Sequence, residues 1–498
     1  MKPSLLTSAK ELGDFQTPDD LAHEVVALVK RLGIAPRTVV EPTCGRGAFL
    51  IAAEKGFPDA RLIGLDINKQ HLSAARARLC DHKRITLIQD SFFKHDWLSL
   101  LATIERPLLV VGNPPWVTNA ELGSLGSDNL PEKRNFQNLS GIDAVTGKSN
   151  FDISEWMLLR NMDWLSPSTG ALAVLCKVAV ARKVLAFAWS RKLAVADARM
   201  YRIDAIKHFG AAVDACLLVA RFDGATRTQS CSVYADLRAA RVETHLGYAD
   251  DTLVSNRNDY LRYKMLRGKS RAFVWRSGIK HDCAKVMELA LSAGSMRNGL
   301  GDVVEVEDTH VFPLVKSSDI AGSRQEPRER FVIVPQRTVG EDTMKIRSAA
   351  PRTWDYLSTH RESLRRRTSS IYKNKPDFSI FGVGPYTFAP WKIAISGLYK
   401  NLTFKLFGPR REKPGVFDDT VYFLPFETKE EAVCVLGMLA SEPAQSFLRS
   451  MIFWDEKRPI TADLLRRLDI SKLAEVLALP PRSNRGSAEL PTPLELLI

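Results

Sequence analysis

The sequence predicts an α/β protein: a parallel β-sheet with right-handed helical crossovers in the first half, then a basic, aromatic-rich mixed α/β half. Three observations predict it. Between residues 37 and 111, short β-type runs alternate with helical runs long enough to cross back over a sheet. After residue 235 that rhythm is lost. The 498 residues are 45% hydrophobic and 26% charged, which suits roughly three ordinary domains or two large ones, at about 150 residues per domain.

Arg37–Glu41 (RTVVE) is the first strand and Ala48–Glu54 the first helix. Arg61–Asp66 (RLIGLD) is a second strand, followed by a helix over Lys69–Leu79. Ile85–Gln89 and Leu108–Val111 add two more strands. Gly123–Asn150 is rich in Gly, Ser, Asn and Asp and reads as a long loop, of the kind that serves as a lid or binding loop. A helix over Ile153–Leu165 and a strand over Ala171–Cys176 resume the pattern, and Asp214–Phe222 closes it. The domain boundary falls at 235–250. Beyond it, aromatic, basic and Gly/Pro-rich stretches dominate, as in Trp275–Lys280 and Ser379–Tyr399. Helical patterns return over Thr428–Leu439, with Thr428 as N-cap, and over Asp463–Leu477. There is no internal repeat, and Pro480–Pro493 reads as a poorly ordered tail.

Charge narrows the class of partner. Lys and Arg number 70 against 57 Asp and Glu, a formal charge of +13. Residues 1–230 hold 29 basic and 24 acidic groups, net +5, and residues 231–498 hold 41 and 33, net +8. The excess is spread over both halves, as a binder of polyanions would have it. Seven cysteines, at 44, 80, 176, 216, 231, 283 and 434, are odd in number and scattered. They indicate neither a disulfide framework nor a zinc site, so no metal is expected and a reducing cytoplasm fits. No apolar run approaches the roughly 20 residues that span a bilayer. The longest candidate, Ala211–Ala220, is interrupted by Asp214, and the N-terminus lacks the apolar core of a secretory signal. No membrane association is expected.

Four motifs carry chemistry. Glu41-Pro42-Thr43-Cys44-Gly45-Arg46-Gly47 follows a strand and opens a helix. Glycines there let backbone approach a ligand closely, and the helix start offers free N–H groups. The third glycine of the dinucleotide fingerprint is absent, and a plain strand–helix turn would use the same residues. Asp66, at the end of the second strand, is placed to accept hydrogen bonds from both hydroxyls of a ribose, or to cap the next helix, a task Asn68 can equally perform. Gln89-Asp90-Ser91-Phe92-Phe93 ends the third strand; Asp90 can hold an exocyclic amine and Phe92 can cover an adenine face, although Asp-Ser at a strand end is also a common turn. Gly112-Asn113-Pro114-Pro115-Trp116 ends the fourth. Its two prolines remove two backbone donors and fix φ, giving a stiff corner. The Asn113 side-chain oxygen and the Pro114 carbonyl can then aim at one planar amino group, with Trp116 offering a stacking face. Two acceptors on an aryl amine favour a pyramidal nitrogen, release its lone pair and stabilise the positive charge that develops in attack on a methyl sulfonium.

In this order and spacing the motifs resemble the γ-class N6-adenine DNA methyltransferases of the Taq type, modification enzymes of restriction–modification systems. The resemblance covers about the first 225 residues. It implies a Rossmann-like S-adenosylmethionine-dependent methyltransferase domain over 1–240, a mixed α/β target-recognition domain over 241–480 and a flexible tail over 481–498. Phe15, Thr17 and Pro18 match the Phe-x-Thr-Pro motif that holds the cofactor's methionine moiety. Glu41, Cys44, Gly45 and Gly47 match the cofactor loop, Asp66 the ribose acid, and Asp90 and Phe92 the adenine clamp. Asn113, Pro114 and Trp116 match the catalytic Asn-Pro-Pro-aromatic motif, with Trp where Tyr or Phe is commoner. Phe209 is the candidate for the opposite face of the target base, although a core phenylalanine would look the same. Phe151 falls where the class lines the base or cofactor pocket.

The implied substrate is double-stranded DNA, from which the target base must be flipped at a cost of about a few kcal/mol. Stacking on Trp116 and Phe209 would offset part of that, at about 1–3 kcal/mol per stacked base. The second half supplies candidate DNA contacts in Arg267, Lys269, Arg271, Arg276, Lys280 and Arg365-Arg366-Arg367. The segments Trp275–Asp282, Pro313–Asp319 and Lys457–Thr461 also look like parts of restriction–modification methyltransferases, and a solvated charged face would account for any single basic residue. His281 reads as structural or phosphate-contacting. The implied partner, beyond DNA, is a separately encoded cognate restriction endonuclease. Two other readings use the same features: an RNA or protein amino-group methyltransferase with the same motif, and a non-catalytic DNA-recognition subunit. The long basic second half argues against the first, and the intact Asn113, Pro114, Pro115 and Asp66 against the second.

Overall fold

In the computed structural model, which describes residues 16–81, 83–117, 152–292, 294–322 and 329–478, the first element is helix α1 (Asp19–Arg31). Asp19 and Asp20 in its first turn and Lys30 and Arg31 in its last both complement the helix dipole. Its other face buries Leu21, Ala22, Val25, Val26, Leu28 and Val29. There follow β1 (Thr38–Glu41), α2 (Ala48–Gly56), β2 (Arg61–Asp66), α3 (Lys69–Arg78), β3 (Ile85–Gln89), α4 (Trp97–Ala102) and β4 (Leu108–Gly112). After them come α5 (Ile153–Leu165), β5 (Thr169–Lys177), α6 (Val178–Ser190), β6 (Val195–Ile203), α7 (Ala205–Phe209) and β7 (Ala215–Asp223). The expected strands and helices of this half fall within about two residues of their predicted ends, the ordinary uncertainty of such boundaries.

The strands lie in the order β3-β2-β1-β4-β5-β7-β6. Neighbours from β3 to β5 are parallel, but β7 runs antiparallel to both β5 and β6, so the sheet is mixed rather than wholly parallel. The reason is β6, which the sequence reading missed: it lets the chain return through β7 between β5 and β6. The chain runs outward from β1 through β2 to β3, then crosses back to β4 on the other side of β1. That reversal opens a crevice at the carboxyl ends of β1 and β4, where ligands bind in sheets of this kind. Helices α1 and α2 bury Val25, Val29, Phe49 and Leu50 in a core shared with Val39, Leu62, Leu109 and Val111 of the strands.

The chain divides into two compact units, Met1–Arg257 and Asn258–Ile498. This division lies beyond the expected 240. Three further strands, β8 (Ser230–Tyr234), β9 (Val242–Ala249) and β10 (Thr252–Val254), extend the first sheet through the β6–β8 pairing.

The second unit contains a four-stranded and a five-stranded sheet. Trp391–Ser396 and Val421–Phe426 pair antiparallel at the centre of the first, and Val311–Val315 and Arg330–Ile333 pair antiparallel in the second. The helix at Lys429–Ala440 starts at Thr428, whose hydroxyl accepts from Glu431 N. The single helix expected over Asp463–Leu477 is two, Ala462–Leu465 and Ile470–Val476. Asp469 breaks it by capping the second, accepting from Ser471 N and Lys472 N, while its own N–H bonds Leu266 O.

Candidate active site

Three backbone N–H groups of the glycine loop between β1 and α2 bond outside it. Cys44 N donates to Leu65 O of β2 at 2.8 Å, Gly45 N donates to Asp66 Oδ2 at 2.8 Å, and Arg46 N donates to Gln16 Oε1 at 3.1 Å. Gly45 and Gly47 have φ of 48° and 77°, left-handed values that favour glycine, and a Cβ on Gly47 would come within 2.9 Å of the Ala75 Cβ. Gln16 thus brings the Gln16-Thr17-Pro18 segment against the loop, a link that its place in the motif alone did not reveal.

Glu41 ends β1 and is 3% exposed. Its Oε2 has no hydrogen-bond partner among the described residues. Burial, reinforced by the Asp66 charge, pushes its carboxyl well above the usual carboxylate range. A Cβ on Gly112 would lie 3.6 Å from Glu41 Cγ, so this side chain lies against the backbone that ends β4. Burial also raises the Cys44 thiol.

At the end of β2, the helix-capping task falls to Asn68, whose side chain accepts from Gln70 N. Asp66 instead braces the glycine loop and the Asn68 N–H, at 2.8 and 2.7 Å. Its Oδ1 also lies 3.6 Å from His71 Nδ1. At the end of β3, Asp90 accepts from Ser91 N at 2.7 Å and lies 2.8 Å from His95 Nδ1. The hydrogen bond from His95 holds its carboxyl below the usual range. Phe92 is buried in an aromatic cluster, with ring centroids 5.3 Å from Trp97, 5.8 Å from Trp156 and 5.7 Å from Trp164. It walls the β3 end rather than presenting an open face.

The β4 end places Asn113 half-buried beside buried Pro114 and Trp116. Trp116 meets Phe209, the last residue of α7, at a centroid distance of 5.2 Å with planes inclined by 70°. The two residues expected to flank a base are therefore neighbours. They touch edge to face, where a stacked guest would need parallel rings roughly 7 Å apart, twice the carbon contact distance. Lys177, missed in the sequence because a lone lysine at a strand end has no local signature, donates to Trp116 O at 3.0 Å and to Asp152 Oδ2 at 2.7 Å.

Among the basic candidates of the second unit, Lys269, Arg271, Arg365 and Arg366 are exposed. Arg267 donates to the Tyr260 hydroxyl, Arg276 lies 4.6 Å above the Tyr386 ring, and Lys280 is 3.5 Å from Asp282. Arg367 is committed elsewhere. It lies over the Tyr372 ring at 3.8 Å and donates to the carbonyls of Leu364, Ser379 and His281. His281 is buried between Cys283 N and Glu288, in keeping with a structural role. Phe15, Phe151, the whole of the expected 123–150 loop and the 481–498 tail lie outside the described residues. Among the described residues no cluster of His, Cys, Asp or Glu fits a metal, and no helix is long and apolar enough to cross a membrane.

Residues 5–181 match the N-6 DNA Methylase family model. The chain is 45% identical to the Type II methyltransferase M.NspV of Nostoc sp. over 470 residues, 94% of this chain and 98% of that one. It is 32% identical over 106 residues to the Type II methyltransferase M.VspI of a Vibrio species, covering 21% of this chain and 25% of that one. A solved structure of the Type IIL restriction-modification enzyme MmeI in complex with DNA superposes with a TM-score of 0.49 at 11% identity, over 90% of this chain and 64% of that one. The near full-length likeness and the family match agree: the chain belongs to the N-6 DNA methylase family, among its Type II adenine-specific methyltransferases.

Proposed function

We propose that the chain transfers a methyl group from S-adenosylmethionine to N6 of an adenine flipped out of duplex DNA, with Asn113 and Pro114 as the acceptors of the amino hydrogens. One observation supports this reading above the others: the diproline corner ends β4, directly beside the β1 end that carries the buried Glu41 carboxyl, whose Oε2 has no hydrogen-bond partner among the described residues. The residues fit the cofactor. Glu41 suits a cationic group, the glycine loop allows close approach, and Asp66 and Asp90 stand at successive strand ends for a ribose and an adenine. Phe15, Thr17 and Pro18 complete the cofactor set in this reading.

When bound, S-adenosylmethionine supplies an electrophilic methyl group on a sulfonium. The chain does the rest. The Asn113 oxygen and the Pro114 carbonyl take the two N6 hydrogens, favour a pyramidal nitrogen and stabilise its developing charge. The proton released afterwards leaves N6 through one of these acceptors to water. Trp116 and Phe209 hold the ring, which excludes water and fixes orientation. In the second unit the exposed Lys269, Arg271, Arg365 and Arg366 meet phosphates, with Arg267, Arg276 and Lys280 beside them. The reaction belongs in a reducing cytoplasm, where the free cysteines persist, and a separately encoded restriction endonuclease is the partner that gives the modification its use.

Transfer of tritiated methyl from S-adenosylmethionine to unmethylated duplex DNA, RNA and protein tests the reading. Label in N6-methyladenine of DNA is expected. Label confined to RNA or protein, or DNA binding without transfer, overturns it.

A further inference from the structure

We infer that Lys177 is a positioning residue for methyl transfer: its ammonium holds the Trp116 carbonyl and so fixes the Asn113–Trp116 corner. The inference rests on the catalytic reading of that corner.

Two successive prolines leave the corner short of donors. Pro114 and Pro115 have no N–H, so neither can tie the chain into a ladder by donating. The fold supplies an outside donor instead. Strand β5 runs parallel to β4, with Val174 in register with Gly112, and continues three residues further to Lys177. That overhang delivers Lys177 Nζ to 3.0 Å from Trp116 O. The ammonium is itself anchored by Asp152 Oδ2 at 2.7 Å. Asp152 in turn caps α5, its Oδ1 accepting from Ser154 N at 3.0 Å and from the Ser154 hydroxyl at 2.5 Å. One residue on, Ile153 N donates to Val117 O at 3.0 Å. The backbone just after the prolines is therefore held by β5 and by the start of α5 at once.

Asp152 is 10% and Lys177 26% exposed at the side chain, so the pair is shielded and removing one partner strands the other. Holding Trp116 O in place holds the indole that stacks on the base and, through the stiff corner, the Asn113 oxygen. Misplacement of such a group by about 1 Å costs about 100-fold in rate.

The test compares Lys177→Met, Lys177→Arg, Asp152→Asn, the Lys177→Met/Asp152→Asn double variant and Asn113→Ala. Thermal unfolding, S-adenosylmethionine and duplex affinity, and single-turnover methyl transfer are measured on the full chain. Lys177→Met should slow transfer about 10- to 100-fold, with both affinities changed by less than about threefold. Lys177→Arg should restore most of the rate. The double variant removes the stranded carboxylate, so it should regain the stability lost in Lys177→Met but not the rate, because Trp116 O still lacks its donor. Recovery of rate along with stability overturns the inference, as does a wild-type rate in Lys177→Met. Should Lys177→Met not fold, Asp152→Asn carries the test: it keeps a capping oxygen, loosens the ammonium and should slow transfer, and an unchanged rate overturns the inference. Asn113→Ala separates the two claims. If it stays active, the catalytic reading falls and this inference with it; if it is inactive while Lys177→Met is wild type, only the inference falls.

Discussion

Trp116 and Phe209 pack against each other edge to face, 5.2 Å between ring centroids and 70° between planes. One comes from the corner after β4 and the other from the last residue of α7, followed by Gly210 in a left-handed cap with φ of 63°. A base can enter between them only if one ring gives way. Phe209, at the end of a five-residue helix, is the less constrained of the two, because Trp116 is held through its carbonyl by Lys177.

Replacing Phe209 by Ala should therefore lower transfer to duplex DNA by about 5- to 150-fold, the rate equivalent of about 1–3 kcal/mol of lost stacking. Phe209→Tyr should keep most of the rate. With 2-aminopurine at the target position, fluorescence should rise on binding Phe209→Ala above its level with the wild type, since one quenching ring is gone. Equal fluorescence in the two complexes contradicts the pairing of these rings around the base.

Glu41 gives a pH signature. Its carboxyl is raised by burial, so the free protein holds the proton to higher pH than the unfolded chain does, and the stability this confers is lost as pH rises through the raised value. A cationic ligand beside Glu41 favours the carboxylate and expels the proton. S-adenosylmethionine affinity should then increase with pH up to that raised value and level off above it, and Glu41→Gln should flatten the dependence. Calorimetry in buffers of different ionisation enthalpy checks this. Absence of proton release below the raised value contradicts the placement of Glu41 at the cofactor.

The basic residues of the second unit separate into two kinds. Lys269→Ala and Arg271→Ala should each weaken DNA binding and reduce the slope of log affinity against log salt by about 1. Arg367→Ala should leave that slope unchanged. It should instead destabilise the fold, by about 1–3 kcal/mol, because three carbonyls and the Tyr372 face lose their cation. A reduced salt slope in Arg367→Ala contradicts its structural role.

Much of the catalytic half was legible because its signals are local. The runs RTVVE, RLIGLD and ITLIQ are short, apolar and bounded by turn residues; the first two end at the candidates Glu41 and Asp66, and the third stops one residue before Asp90. β6 was not legible: VADARMYRI places Asp197 and Arg199 within the strand, breaking an apolar run, and there they are partly exposed and pair with each other at 2.8 Å. Lys177 and Gln16 were missed as working residues because their partners, Trp116 O and Arg46 N, are distant in sequence. In the second half, composition distinguished Arg365 from Arg367 no better than chance, since exposure and carbonyl contacts are set by tertiary packing. The break at Asp469 was visible in principle, as an Asp inside a helical pattern is a capping residue.

The proposed chemistry requires the Asn113 oxygen to accept from the amino group being methylated. Its most direct measurement is the single-turnover rate at which Asn113→Ala forms N6-methyladenine in duplex DNA, with cofactor occupancy fixed by calorimetry. The rate should fall by about 100- to 1,000-fold at unchanged cofactor affinity, as expected for loss of one preorganised transition-state contact. A variant that methylates adenine at nearly the wild-type rate would contradict the claim.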